Sequence, residues 1–267
     1  MDARTAYVSM ICGGDAYVPG LETLGRSLLE TGTRIPRVAL VTRDVSPGAR
    51  AKLGAQGWRL REVEPIGNPR GDVLLPRFAN VFTKLRVWEL DDYDKVVFLD
   101  ADTIVLQNID ELFDRPSLAA APDFLLPDRF NSGVMVVEPA SAVLAKMLAR
   151  LPELMSYDGG DQGFLNEFFD WYASPPEHRL PAAYNTHQFI FQFIAAHHLL
   201  RERLLGGIKI VHYTVQKPWR EVAIVGGSQL WWDVYDRVHP EQLAAWRRQL
   251  HALEDWSFNR VVSVLTG

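Results

Sequence analysis

Apolar and polar positions along the chain repeat with two different periods. AYVSMIC at 6–12 and RVALVT at 37–42 are short β-rich runs bounded by glycine, proline and charged residues, and they predict buried strands. Between them LETLGRSLLETG at 21–32 spaces Leu21, Leu24, Leu28 and Leu29 at helical intervals and stops at Gly32. SPGARAKLGAQG at 46–57 predicts a second helix and WRLREV at 58–63 a third strand. Strand, helix, strand, helix, strand is the order of a parallel sheet with crossover helices.

EPIGNPRGDVLLPRF at 64–78 holds three prolines and two glycines and predicts a long connection, a place where function concentrates. VFTKLRVWEL at 81–90 puts Phe82, Leu85 and Trp88 or Val87 in helical period, and KVVFLD then predicts an inner strand, buried on both faces, that delivers Asp100 at its carboxyl end. Downstream, 133–139 predicts a strand, 141–154 and 161–172 helices, 208–215 a late strand and 240–256 an amphipathic helix. The pattern shows no internal repeat, low-complexity tract or linker.

Composition narrows the chemistry. The 267 residues are 48% hydrophobic, enough for a substantial core, and the net charge of -5 gives no electrostatic hold on nucleic acid or an anionic membrane. Cys12 is the only cysteine, which rules out an internal disulfide and a cysteine-cluster metal site and fits a reducing compartment. The N-terminus lacks a secretory pattern and no run approaches the ~20 apolar residues of a membrane span, so the expectation is a soluble cytoplasmic protein.

The stretch VVFLDADTIVL at 96–106 drives an apolar run into Asp100, Ala101 and Asp102. Carboxylates so close raise each other's pKa unless a cation or donors compensate. Three readings stand: a clamp for a hard divalent ion, the nucleophile and general acid of a phosphatase, or a capped strand end. The stretch resembles the haloacid-dehalogenase-like phosphatases, with Asp100 as nucleophile. Those enzymes place it near the start of the sheet, however, and here three strands precede it. No G-x-x-x-x-G-K-[ST] occurs, so a P-loop hydrolase is not supported. His212 ends an apolar strand, as a core imidazole or a third ligand. DGGDQG at 158–163 reads as a helix start with Asp158 or Asp161 as its cap. Lys84 and Arg77 read as exposed charges, Lys217 as a solvated one, and Trp231 and Trp232 as core or interface aromatics.

Seven stretches in order resemble the glycogenin-like branch of the family 8 glycosyltransferases, retaining enzymes of the GT-A fold: FTKLRVWEL, FLDADTIVL, FNSGVMVVEP, DGGDQGFLNEFF, LPAAYN, VHY with KPW, and WWDVY. The resemblance implies an α/β GT-A fold in a single domain, with a Rossmann-like, mostly parallel central sheet flanked by helices. Residues 1–135 would mainly bind nucleotide and metal, and 136–267 donor sugar and acceptor. It implies that Asp100, Asp102 and His212 hold Mn²⁺ or Mg²⁺ on the phosphates of a UDP-sugar, with Ala101 between the acids and Lys217 meeting the phosphates as a point charge. Asp158, Asp161 and Gln162 would contact the donor sugar, Asp161 being the one candidate for a double displacement. Asn131, Ser132 and Gly133 would line the same pocket, Ile11, Gly13 and Tyr17 would hold uridine, and Arg77 and Lys84 would complete the donor site.

The implied reaction moves a hexose, glucose or galactose, to a hydroxyl of a separate acceptor; a homodimer fits the resemblance. Glycogenin's acceptor tyrosine has no counterpart in THQFIFQF at 186–193, so self-glucosylation there is not expected. The glycine that the family carries between the late histidine and KPW is also missing. A non-catalytic protein that binds nucleotide-sugar or glycan is the third reading, after the phosphatase.

Overall fold

The computed structural model describes residues 3–69, 80–214, 216–220 and 228–240. They fall into two compact units. The first draws on the chain up to Leu21, from Arg34 to Ala101 and from Asp110 to Ala182; the second takes Glu22–Thr33, Asp102–Ile109 and the residues from Ala183 onward. Arg77 and nearly all of the 240–256 segment lie outside the described residues, as does the connection at 64–78 beyond Pro69.

The first unit is built on a six-stranded sheet. β1 (Thr5–Ile11), β2 (Arg37–Val41), β3 (Trp58–Glu62) and β4 (Lys95–Leu99) run parallel in the order β3-β2-β1-β4. Along the chain β1 and β2 are linked by α1 (Val18–Glu30), which belongs to the second unit from Glu22 on and has Pro19 in a first turn that does not need its N–H, and β2 and β3 by α2 (Pro47–Ala55). Ser46 caps α2 by accepting from the Ala49 N–H at 3.2 Å. In α1, Leu21, Leu24 and Leu28 are buried, whereas Leu29 is exposed; it lies about 100° around the helix from Leu28, off the stripe that the other three define.

Beyond β4 the sheet changes direction. After β5 (Thr103–Val105), which belongs to the second unit, come β6 (Ala119–Pro122) and β7 (Phe130–Val137). β7 pairs antiparallel with β4 on one side and with β6 on the other. β6 reads AAAP, without the β-branched or aromatic residues that advertise a strand, and pattern does not reveal it. β7 starts three residues earlier than its apolar run because Asn166 clamps Phe130, its Oδ1 accepting from the Phe130 N–H and its amide donating to the Phe130 carbonyl, both at 2.9 Å. Asn131, Ser132 and Gly133 are therefore strand residues.

The segment Val81–Glu89 is a 3₁₀ helix rather than an α-helix. Its buried Phe82, Leu85 and Trp88 recur every three residues, the 3₁₀ period. α3 (Ser141–Arg150) and α4 (Asp161–Phe168) are shorter than their sequence patterns. The core gathers Val8, Leu40, Phe82, Trp88, Phe98, Phe130, Met135 and Phe164.

The second unit holds β8 (Thr186–His187), α5 (Gln188–Ala196), α6 (His198–Leu204), β9 (Ile210–His212) and α7 (Ser228–Val238). Its sheet runs β5-β9-β8, with Thr103 and His187 flanking His212 in register. Trp231, Trp232 and Tyr235 of α7 are core residues, Trp231 stacking on Tyr235 with centroids 5.0 Å apart. Among the described residues no helix is long and apolar enough to cross a membrane.

Candidate functional site

In the first unit the chemistry gathers where β4 ends. Asp100 follows Leu99 directly, and its N–H donates to the Gly133 carbonyl at 2.8 Å, continuing the ladder to β7. Lys84 is buried, not a surface charge: its ammonium lies 3.0 Å from Asp100 Oδ1 and 2.8 Å from Asp161 Oδ2, and it donates to Ser132 Oγ at 3.2 Å. Burial alone would lower the lysine's pKa, but the charges of Asp100 and Asp161 outweigh it and raise it above the ordinary range. The Ser132 hydroxyl donates to Asp161 Oδ2 at 2.8 Å. Asp161 is thus bound on two sides by Lys84 and Ser132.

Asp158, not Asp161, does the capping at the start of α4. Its Oδ1 accepts from the N–H groups of Gly160 at 2.9 Å and Gly163 at 3.0 Å and from the Ser156 hydroxyl at 2.7 Å. A Cβ on Gly163 would stand 2.5 Å from that Oδ1 and 2.7 Å from the Tyr157 nitrogen, so the position accepts glycine alone without rearrangement. Asp158 is accordingly turned onto its own loop.

Gln162 reaches three partners. Its Oε1 accepts from the Ser132 N–H at 3.3 Å, and its amide donates to Asp123 Oδ2 at 3.2 Å and to Tyr157 Oη at 3.0 Å. Asn131 also donates to Asp123 Oδ2, at 3.2 Å, and its Oδ1 accepts from the Gly133 N–H at 3.0 Å. Asp123 and Tyr157 belong to this network without any motif to announce them; only the pairing of β6 with β7 brings Asp123 there.

Ile11 is buried at the end of β1, and Gly13 and Gly14 take positive φ of 79° and 88°, a left-handed bend that suits residues without a Cβ. Tyr17 closes a short 3₁₀ turn, Asp15–Tyr17, and is half-buried. Between them Cys12 Sγ lies 3.7 Å from Thr83 Oγ1, one residue before Lys84, and burial pushes its thiol pKa up.

In the second unit Asp102 is buried between His212 and Lys217. Oδ1 faces His212 Nε2 at 3.1 Å and Oδ2 contacts the Lys217 ammonium, which also donates to the carbonyls of Tyr213 and Thr214 at 2.8 Å. Burial alone would raise the Asp102 pKa; Lys217 and His212 outweigh it and hold the carboxyl well below the ordinary range. His212 Nδ1 lies 2.8 Å from Asn185 Oδ1. That oxygen can only accept, so a neutral imidazole carries its proton on Nδ1 and turns the Nε2 lone pair toward Asp102. In that neutral form Nε2 offers a lone pair to a cation held beside Asp102.

Asp100 in the first unit and Asp102 in the second are joined along the chain through the buried Ala101, and Asp102 and His212 face each other within the second. Two carboxylate oxygens and an imidazole nitrogen suit a hard divalent cation. The donor set therefore fits a metal.

Three comparisons place this arrangement among known proteins. The model of glycosyl transferase family 8 matches residues 10–223. A UDP-glucuronate:xylan alpha-glucuronosyltransferase 2 of Arabidopsis thaliana is 36% identical over 220 residues, 81% of this chain but 36% of that protein. Human glycogenin-1 is also 36% identical, over 241 residues covering 87% of this chain and 68% of its own. Among solved structures, the galactosyltransferase LgtC in complex with donor and acceptor sugar analogues superposes with a TM-score of 0.68 at 20% identity, covering 92% of this chain and 99% of its own. The fold is thus GT-A.

Proposed function

Since the chain belongs to glycosyl transferase family 8, we propose that it is a metal-dependent retaining glycosyltransferase. It moves a hexose from a UDP-sugar to a hydroxyl on a separate acceptor, and it works in the reducing compartment that its lone cysteine suits. The chain spans 36% of the length of the plant glucuronosyltransferase and 68% of human glycogenin-1, so donor sugar and acceptor are not carried over from either.

The observation that carries the reading is the pair Asp102 and His212, a buried carboxylate and an oriented imidazole nitrogen suited to share a cation, with Asp102 two residues beyond Asp100 in the chain. In the proposed complex Asp100, Asp102 and His212 hold Mn²⁺ or Mg²⁺, which when bound supplies Lewis-acid neutralisation of the pyrophosphate as UDP departs. Lys217, at present drawn onto Asp102, adds a point charge to the same phosphates. Lys84 pairs with Asp100 and Asp161, and Asp161 and Gln162, tied to Ser132 and Asn131 through the network above, take hydroxyls of the donor sugar. The Gly13 bend and Tyr17 receive the uridine.

The acceptor oxygen attacks the anomeric carbon on the face from which UDP leaves. The carbon–oxygen bond to the diphosphate breaks, and the acceptor's proton passes to the departing phosphate oxygen. Neither the phosphatase nor the non-catalytic reading is favoured by the family match or the relatives. A panel of UDP-sugars tested by thermal shift with and without Mn²⁺ identifies the donor, since a ligand that binds the folded form raises its melting temperature. Stabilisation by a UDP-sugar only with metal, followed by an α-linked product from an α-linked donor, is the expected result. Equal stabilisation in EDTA removes the metal assignment, and an inverted product removes the retaining one.

A further inference from the structure

The hairpin tip between β6 and β7 carries Phe124, Leu125 and Leu126 in succession, 51%, 77% and 44% exposed. Three consecutive bulky apolar side chains in water are costly unless something covers them. The tip is nevertheless a built turn. The Asp123 N–H donates to the Arg129 carbonyl and the Arg129 N–H to the Leu126 carbonyl, both at 2.8 Å. Asp123 Oδ1 accepts from the N–H groups of Leu125 at 2.9 Å and Leu126 at 3.1 Å.

The other oxygen of the same carboxylate takes the amides of Asn131 and Gln162, both at 3.2 Å. One residue therefore fixes the apolar tip and the side chains assigned to the donor sugar. Gln162 also donates to the hydroxyl of Tyr157, itself 44% exposed, and Met155 two residues earlier is exposed as well. Exposed apolar residues thus adjoin the polar network, Asp123 carrying the tip and Tyr157 hydrogen-bonding Gln162.

From this coupling, and resting on the transferase reading above, we infer that the Phe124–Leu126 tip is an acceptor-recognition lip. Its ligand is an acceptor sugar that bears its reacting hydroxyl and carries an apolar group, an alkyl or aryl aglycone, and Asp123 is a positioning residue that sets lip and sugar site in register. The polar part of the acceptor lies beside the donor sugar that Gln162 holds, while the apolar part covers Leu125. A free sugar or a purely polar glycan leaves the lip in water and binds less well.

The test uses the full chain loaded with UDP and Mn²⁺, and methyl and hexyl β-glycosides of glucose, galactose and xylose, the hexyl compounds kept below their micelle concentration. Calorimetry gives the ratio of methyl to hexyl dissociation constants. Burying a methylene is worth about fourfold in affinity, so coverage of even two methylenes by the lip gives a ratio of about tenfold or more. The ratio should collapse toward one in Leu125→Ser and return in Leu125→Met. Leu125 is mostly exposed and engaged through its backbone, so both variants keep the fold, which a melting curve checks.

A ratio near one in the native protein, or one that survives Leu125→Ser, overturns the inference while UDP binding leaves the transferase reading standing. Loss of binding to neutral phosphatidylcholine vesicles in Leu125→Ser, without chain-length preference, makes the tip a lipid-surface contact instead and likewise overturns it. Failure to bind UDP at all strikes the transferase reading itself.

Discussion

Asn185 Oδ1 stands 2.8 Å from His212 Nδ1, and through that contact a residue with no metal-binding role of its own decides which imidazole nitrogen faces Asp102. Partners that orient a ligating histidine are worth about ten- to a hundredfold in metal affinity. Asn185→Ala should weaken Mn²⁺ binding by about that factor, whereas Asn185→Asp keeps an acceptor in place and should retain most of it. Calorimetric titration of Mn²⁺ measures both, and equal affinity for all three proteins would remove Asn185 from the account.

Lys84 is the buried cation between Asp100 and Asp161. Removing one partner of such a buried cluster leaves carboxylates uncompensated, at a cost of about 3–5 kcal/mol. Lys84→Met should show a loss of that order in urea unfolding at neutral pH. Adding Asp161→Asn should recover part of it, and a strictly additive double variant would mean that the pair is not coupled.

Two glycines in helices should respond with opposite sign. A Cβ at Gly163 meets the Tyr157 nitrogen and Asp158 Oδ1 at under 3 Å, so Gly163→Ala should lower stability by about 1–3 kcal/mol. Gly54 in α2 has nothing within 4 Å of a built Cβ and no positive φ, so Gly54→Ala should raise stability by about 0.5–1 kcal/mol. Paired melting curves decide it.

Acid should act through Glu30. Its carboxylate accepts from Arg237 through both oxygens, each at 2.7 Å, and from Arg26; the Arg237 hydrogen bonds chiefly hold its pKa below the ordinary glutamate value. A depressed carboxylate contributes stability that is present above its unfolded pKa and lost as pH falls through the folded one. Both ends are partly exposed, so the contribution is about 1 kcal/mol at most. The stability difference between the native protein and Glu30→Gln should be largest near neutrality and vanish in acid; a difference constant with pH would contradict the linkage.

The strands β1 to β4, the helices α1 and α2, and the strand ends at Asp100 and His212 could be read from the chain because each is written locally, in an apolar period that ends on a polar residue. Lys84 and Asp161 were visible only as motif members, and their mutual distance was not. Asp123, Tyr157 and Asn185 left no local signal: Asp123 acts through pairing between β6, an alanine strand, and β7, while Asn185 acts on a histidine 27 residues away in sequence. α5, α6 and α7 escaped for a related reason, since their aromatic and apolar residues, such as FIFQF and WWDVY, support strand and helix alike until tertiary packing chooses.

The central claim is a divalent cation seated between two carboxylates and one imidazole. Pulsed electron paramagnetic resonance of the Mn²⁺-loaded protein with UDP reads the ligands directly. The account predicts nitrogen modulation from a single directly bound imidazole, together with phosphorus coupling from the nucleotide, and loss of the nitrogen signal in His212→Ala. Phosphorus coupling without nitrogen, or a nitrogen signal that persists in His212→Ala, would contradict it.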